Sequence, residues 1–292
     1  MNQKLIEVIY RWAWKRSNWF RYHYYHERSH GGFVVPVLQS EGIYNFDSEP
    51  EMEWVLNQLL PDTDGAFVDV GVNTGQTLLL LKKLAPQVEY LGFEIQHDCI
   101  GYLNKLVRIN KFINTTILPV GLGKERQTAF IYSNGNTDSG ATLKPELRNR
   151  SYINRTACVI ETGDFLLKKV TDAPISIIKI DVEGGELDVL LGMDDTIDQH
   201  RPYLIVEVLA NEPRGTKDVE DAFFEYSPEG KLEFIKRWDD FCNRKNYRVF
   251  NLLADGLKMR RCFANEATES GTNNFLLVPS EHAEKISSKY GS

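Results

Sequence analysis

The stretch Phe67–Leu81, FVDVGVNTGQTLLLL, limits the fold more than any other part of the chain. Phe67–Val72 is apolar and β-branched around a single acid, Asp69, and it runs into a turn that contains Gly71 and Gly75. From Gln76 onward the leucines read as a helix. A strand, a glycine turn and a helix start present backbone N–H groups to an anionic ligand, and glycine lets the backbone pass close to it with no Cβ in the way. A nucleotide-type site is expected here.

The rest of the chain builds a sheet around that unit. Pro50–Leu60 reads as a helix with Met52, Val55, Leu56 and Leu59 on one face. Val88–Glu94 is a second strand, His97–Asn110 a helix and Thr115–Val120 a third strand. This β-α-β-α-β order is the signature of a parallel sheet with crossover helices. Residues 121–160 interrupt it with an extra strand, Gln127–Tyr132, a polar loop, Ser133–Ala141, and a return strand, Arg155–Glu161. The alternation resumes with Ile175–Val182, a helix from Gly184-Gly185 to Gly192, and Tyr203–Val208. Asn211–Glu229 reads as a loop, Lys231–Lys245 as an amphipathic helix, and Tyr247–Leu253 with Asn274–Pro279 as a closing strand pair. The last dozen residues read as a frayed tail.

Residues 1–30 stand apart. Trp12, Trp14, Trp19, Phe20, Tyr22, Tyr24 and Tyr25 mingle with Lys4, Arg11, Lys15, Arg16, Arg21 and Arg28. A helix of this composition packs on its own domain or on a second subunit, or it lies on an anionic membrane surface. The organisation expected is an N-terminal extension over 1–49, a main domain over 50–280 and a tail over 281–292.

Charge and cysteine usage remove several classes. The net charge of −7 argues against a general nucleic-acid binder. Cys99, Cys158, Cys242 and Cys262 form no CxxC, so neither a zinc site nor a disulfide framework is suggested, and reduced cytosolic thiols are the default. No apolar run is long enough to span a bilayer, and the N-terminus lacks the apolar core of a signal peptide. A cytoplasmic protein is expected, with peripheral membrane contact through residues 1–30 and homo-oligomerisation left open.

The chemistry lies at strand ends. Glu94 ends the second strand about twenty residues after the glycine turn, where an acid accepts hydrogen bonds from a ribose diol. A dinucleotide site wants GxGxxG, but Asn73 stands where the second glycine would be. Asp69 beside the turn would repel phosphate and suit an ammonium. The turn therefore fits S-adenosylmethionine, whose amino-acid end carries an ammonium and a carboxylate, better than a nicotinamide dinucleotide. Lys179, Asp181 and Glu183 share one side of the next strand if it stays extended that far, and Glu207 ends the strand after it. Acids at the carboxyl end of an α/β sheet have either a role or a partner, such as Lys179. A Mg²⁺ held by Asp181, Glu183 and Glu207 is the lesser reading.

Taken together, FVDVGVNTGQT, Phe93-Glu94, VGLGKE at 120–125, DSGATL at 138–143, IKIDVEGGELDVLLG at 178–192 and NNFLLVP at 273–279 resemble the FkbM-type S-adenosylmethionine-dependent methyltransferases. The resemblance spans roughly residues 50–280 and leaves the first 30 uncovered. It implies an α/β fold of the class I, Rossmann-like kind: a mostly parallel sheet with an antiparallel closing strand, here with a β insertion after the third strand and an N-terminal helical extension. It implies O-methylation of a hydroxyl, often on a sugar, glycan or natural product, with S-adenosylhomocysteine as product. Carried onto this chain, Asp69, Gly71, Asn73 and Gly75 match the amino-acid pocket, and Glu94 matches the ribose acid. Val120 and Gly121 fall where the adenine is flanked, and Asp181 and Glu183 where acids sit beside the transferred methyl. An alcohol needs a base to take its proton, and Asp181 is the first candidate, with Glu183 and Glu207 as alternatives. The rivals are methyl transfer to nitrogen or to a small metabolite, an NAD(P)-dependent oxidoreductase, and a non-catalytic module on the same fold.

Overall fold

A computed structural model describes residues 26–30, 32–37, 50–135, 137–147, 151–208, 228–253, 256–260 and 273–290. The aromatic, basic stretch over 1–25, the loop over 211–227 and Cys262 lie outside the described residues. The helix expected within residues 1–30 falls mostly outside the described residues; its last part, 26–30, is a strand. Strand β1 (His26–His30) pairs antiparallel with β2 (Phe33–Val37). Gly32 has φ +90°, the left-handed backbone a tight reversal uses.

The core is an eight-stranded sheet. Helix α1 (Pro50–Leu59) precedes β3 (Ala66–Val70), α2 (Gln76–Leu84), β4 (Tyr90–Phe93), α3 (His97–Asn110) and β5 (Thr115–Leu118). A side sheet follows: β6 (Gly121–Leu122), β7 (Gln127–Ser133) and β8 (Asn154–Glu161). The chain then forms α4 (Gly163–Val170), β9 (Ile175–Ile180), α5 (Glu186–Leu191), α6 (Asp194–His200) and β10 (Tyr203–Glu207). It closes with α7 (Pro228–Lys245), β11 (Tyr247–Leu253), β12 (Gly256–Arg260), β13 (Asn274–Pro279) and α8 (Ser280–Tyr290). The strand order is β12-β11-β13-β10-β9-β3-β4-β5. Strands β10, β9, β3, β4 and β5 run parallel, and β13 enters antiparallel between β10 and β11. This is the mostly parallel sheet with an antiparallel closing strand that the resemblance implies.

Alternation along the strands fills both faces. Val68, Val70, Ile178, Ile180, Leu204 and Val206 pack on one side with Trp238 and Phe241 of α7 and Leu190 of α5. Phe67, Ile177 and Ile205 pack on the other with Met52, Leu56, Leu78 and Leu103 from α1, α2 and α3. Strands buried on both faces read as continuous apolar runs, which is why the sequence marks them so clearly. The buried Lys82 extends from α2 and donates to the carbonyls of Val88 at 2.9 Å and Ile113 at 3.0 Å, tying together the entries to β4 and β5.

Four elements depart from the sequence reading. Helices α4 and α6 have no counterpart in it, and β12 forms between the two strands of the closing pair. Residues 281–290, expected as a tail, belong to α8, with Ala283 and Ile286 buried. Among the described residues, no helix is long and apolar enough to cross a membrane.

Candidate active site

The sheet order reverses at β3: β4 and β5 lie on one side, β9 and β10 on the other. The crevice at the carboxyl ends of β3 and β9 is therefore where an open α/β sheet takes its ligand. A cavity of about 510 Å³ lies there. Asp181 N–H donates to the Val70 carbonyl at 2.9 Å, which pins the exit of β9 to the exit of β3. Gly71, at φ +86°, allows this: a Cβ there would collide with the Asp181 carbonyl.

The turn after β3 is braced from within. Asn73 adopts φ +51°, a conformation asparagine tolerates better than most residues. Its N–H donates to Glu94 Oε2 at 2.7 Å, and its side-chain oxygen accepts from the Thr74 N–H at 2.8 Å. Gly75 N–H donates to the Val72 carbonyl at 3.0 Å. Three N–H groups of the turn are thus already paired, two within it and one with Glu94 at the end of β4.

Glu94 is 5% exposed, and its Oε1 accepts from the N–H groups of Ile95 and Gln96, each at 2.7 Å. Burial pushes its pKa up, and these backbone donors oppose that push. Oε2, with one donor from Asn73, keeps capacity for another.

On the far side, carboxylate oxygens of Asp181 and Glu207 lie within 4.8 Å of one another, and Lys179 Nζ donates to Asp181 Oδ2 at 3.1 Å. Burial, then the negative charge of Asp181, pushes Glu207 up to about 9. Ligand oxygens of Asp181, Glu183 and Glu207 come within 4.8 Å of one another. The Lys179 ammonium already supplies positive charge in that group. Glu186 sits behind it, 2% exposed; its Oε1 accepts from Gly184 N–H at 2.8 Å, and burial pushes it up to about 7.

Gly71, Asn73, Glu94, Gly121, Asp181, Glu183 and Glu207 all line the one cavity. Strand β9 ends at Ile180 and Glu183 has φ +61°, so Glu183 reaches the cavity through a turn and not through the strand alternation expected of it. Three residues expected at the ligand are not among those lining the cavity. Asp69 is fully buried below it, where Tyr90 Oη donates to its Oδ2 at 2.6 Å. Alternation turns Asp69 to the same face as Phe67, into the sheet's packing. Gly75 faces α3, where a Cβ would lie 2.9 Å from Leu103 Cδ2. Val120 packs on the apolar core.

The insertion forms the opposite wall, with Gln127, Ala129 and Ile131 of β7 and Ile160 of β8. Its polar loop is strapped to both halves of the crevice. Gln96 Nε2 donates to the Asp138 carbonyl at 3.0 Å, and Thr142 Oγ1 donates to the Glu183 carbonyl at 2.7 Å. Lys144 pairs with Asp188 at 2.8 Å. Gln96, Lys144 and Asp188 are lining residues that the sequence reading missed. Gln96 had a signal, two residues past Glu94 at a strand end, whereas Lys144 and Asp188 meet only through the tertiary fold.

Comparison with known proteins gives a consistent result. The profile of the FkbM methyltransferase domain matches residues 69–249. Methyltransferase sdnD of Sordaria araneosa is 28% identical over 186 residues, covering 54% of this chain and 71% of that protein. Methyltransferase 1 of Beauveria bassiana (strain ARSEF 2860) is 25% identical over 151 residues, covering 46% of this chain and 60% of that protein. The crystal structure of methyltransferase FkbM from Methylobacillus flagellatus KT matches with a TM-score of 0.42 at 15% identity, covering 73% of this chain and 43% of that one.

Proposed function

The chain belongs to the FkbM methyltransferase domain family, and from that premise we propose that it moves a methyl group from S-adenosylmethionine to a hydroxyl on a sugar, glycan or related natural product. The observation that carries this reading is the meeting of two groups in one cavity: the Asn73–Glu94 unit, and the neighbouring acids Asp181 and Glu207.

The donor set fits this cofactor. Glu94 Oε2 retains room for a ribose hydroxyl, and Gln76, Thr77 and Ile95 line the same wall. The N–H groups of Asn73 and Thr74 are already paired, with Glu94 and with the Asn73 side chain, which disfavours a pyrophosphate and hence a nicotinamide dinucleotide. When bound, S-adenosylmethionine supplies an electrophilic methyl on sulfur. The protein's part is to line up the acceptor oxygen with that carbon. Asp181 would take the proton of the acceptor hydroxyl during transfer, with Glu207 beside it in the same cavity. The acid-lined end also suits an ammonium, so methyl transfer to an amine is the second reading.

Calorimetry with S-adenosylhomocysteine, followed by an acceptor panel with labelled methyl donor scored by mass, tests the proposal. Binding and transfer to a hydroxyl are expected. Asp181→Asn should lower turnover by roughly 10²–10⁴-fold with binding kept. Transfer only to amines replaces the first reading with the second. Binding with no transfer to any acceptor indicates a non-catalytic module.

A further inference from the structure

The turn after β9 carries Asp181 and Glu183 to the cavity, and it is held from the sheet, from α5 and from the insertion. From the sheet, the Val70 carbonyl accepts from Asp181 N–H at 2.9 Å. From the start of α5, Glu186 Oε1 accepts from the N–H groups of Val182 at 3.3 Å and Gly184 at 2.8 Å. From the insertion, Thr142 Oγ1 donates to the Glu183 carbonyl at 2.7 Å. This last bond falls where the backbone is most constrained, since Glu183 has φ +61° and Gly184 has φ +112°. A residue other than glycine stays in the left-handed region only where its surroundings over-determine it.

Thr142 is itself fixed in place. It is 1% exposed, and its backbone pairs with that of Tyr132 in β7 in both directions, at 2.9 Å and 3.0 Å. Alternation then divides the segment: Ala141 and Leu143 line the cavity, whereas Thr142 between them does not. Thr142 Oγ1 also accepts from Lys144 N–H at 3.0 Å. A hydroxyl has one proton to give, and that of Thr142 goes to the Glu183 carbonyl.

We propose that Thr142 is a positioning residue: by holding the Glu183 carbonyl from the insertion, it fixes the turn from which Asp181 and Glu183 face the acceptor. The proposal rests on the methyl-transfer reading for its catalytic meaning. It gives the insertion a second task besides walling the cavity, because one buried hydroxyl ties that wall to the turn that carries the acids. Without the hydroxyl the left-handed turn loses its hold from the insertion. The acids then lose their alignment with the acceptor oxygen, and alignment is the protein's main contribution to such a transfer. The hold on the Val70 carbonyl and the holds on Glu186 stay, so the fold and the Asn73–Glu94 unit on the other side of the crevice persist.

Thr142→Val keeps the shape of the side chain and removes the hydroxyl, whereas Thr142→Ser keeps the hydroxyl. Thr128→Val, at an exposed position of β7, makes the same exchange away from the turn and serves as the control. Steady-state transfer from labelled S-adenosylmethionine to the acceptor found in the panel reads the effect, with calorimetry of S-adenosylhomocysteine alongside. Thr142→Val should lower kcat at least about tenfold and keep the affinity for S-adenosylhomocysteine. Thr142→Ser and Thr128→Val should stay near wild type. Wild-type kcat in Thr142→Val, a loss that serine does not restore, or a loss confined to cofactor affinity overturns the assignment. Amide exchange across residues 182–185 should be faster in Thr142→Val and return in Thr142→Ser; unchanged exchange overturns it equally. If Thr142→Val does not fold, Thr142→Ala set against Thr142→Ser decides by the same criteria. If the wild-type protein binds no S-adenosylhomocysteine or methylates no acceptor, the methyltransferase reading fails. The exchange measurement then decides by itself whether Thr142 holds the turn, so the two failures are distinguishable.

Discussion

The Asn73 N–H donates to Glu94 Oε2 at 2.7 Å, so the turn after β3 and the acid that ends β4 form one unit. Glu94 also accepts from Ile95 and Gln96 and so closes its own strand end. A side chain that the spacing rule marks for a ribose is therefore also the clamp that shapes the pocket for it.

That double duty sets the effect of replacing it. Glu94→Ala removes the proposed hydroxyl acceptor and releases the Asn73 turn. The affinity for S-adenosylhomocysteine should fall at least about tenfold, worth about 1.4 kcal/mol, while the fold persists. Glu94→Gln keeps the length of the side chain and should lose less. Calorimetry on both variants decides; wild-type affinity in Glu94→Ala would remove Glu94 from the site.

Gly71 gives a backbone prediction with an internal control. At φ +86°, with the Asp181 carbonyl against the missing Cβ, Gly71→Ala should cost about 1–3 kcal/mol or more. Gly101 lies in α3 with nothing within 4 Å of its would-be Cβ. Gly101→Ala should therefore stabilise by up to about 1 kcal/mol. Urea denaturation of the two variants should move in opposite directions from wild type; movement in the same direction contradicts the close β3–β9 approach described for Gly71.

Much of this was legible in the sequence because strands buried on both faces are continuous apolar runs. Helix α3 was read with its observed ends because its apolar residues keep helical spacing. The acids were legible as cleft residues because they stand at strand ends. Asp69 was misplaced for a different reason: one side chain in a strand can point to the ligand or across the sheet, and only its partners Tyr90 and Lys179 decide. Lys144 and Asp188 were invisible because their meeting depends on how the insertion folds back over the crevice. The extent of α8 was missed because its charged residues hide a short apolar stripe.

The buried acids make stability depend on pH in a definite sense. Both ionise near 4.5 when unfolded, whereas burial holds the proton on Glu186 up to about 7 and burial with the Asp181 charge holds it on Glu207 up to about 9. Across that interval the folded chain keeps protons that the unfolded chain has released. Their contribution is therefore full on the acid side and is lost as the pH rises through the folded values. Glu207→Gln has no proton to lose there. Its urea midpoint should decline less than that of wild type between about pH 6 and about pH 9. Equal declines would mean that Glu207 is already ionised in the folded chain.

The C-terminal helix offers a prediction that separates packing from surface charge. In α8, Ala283 and Ile286 lie one turn apart and pack into the cluster that holds Phe250, Leu252 and Leu276. At the start of the helix, Glu281 binds Arg201 at 2.7 Å and 3.0 Å, but it does so at the surface. An exposed pair is worth about 0–1 kcal/mol, whereas truncating a buried isoleucine leaves a cavity and costs about 2–5 kcal/mol. Ile286→Ala should therefore destabilise the protein more than Glu281→Ala, although both alter the same helix. Urea midpoints for the two variants give the ranking. If Ile286→Ala stays within about 0.5 kcal/mol of wild type, α8 contributes nothing to the core, and residues 281–290 behave as the loose end that their composition suggests.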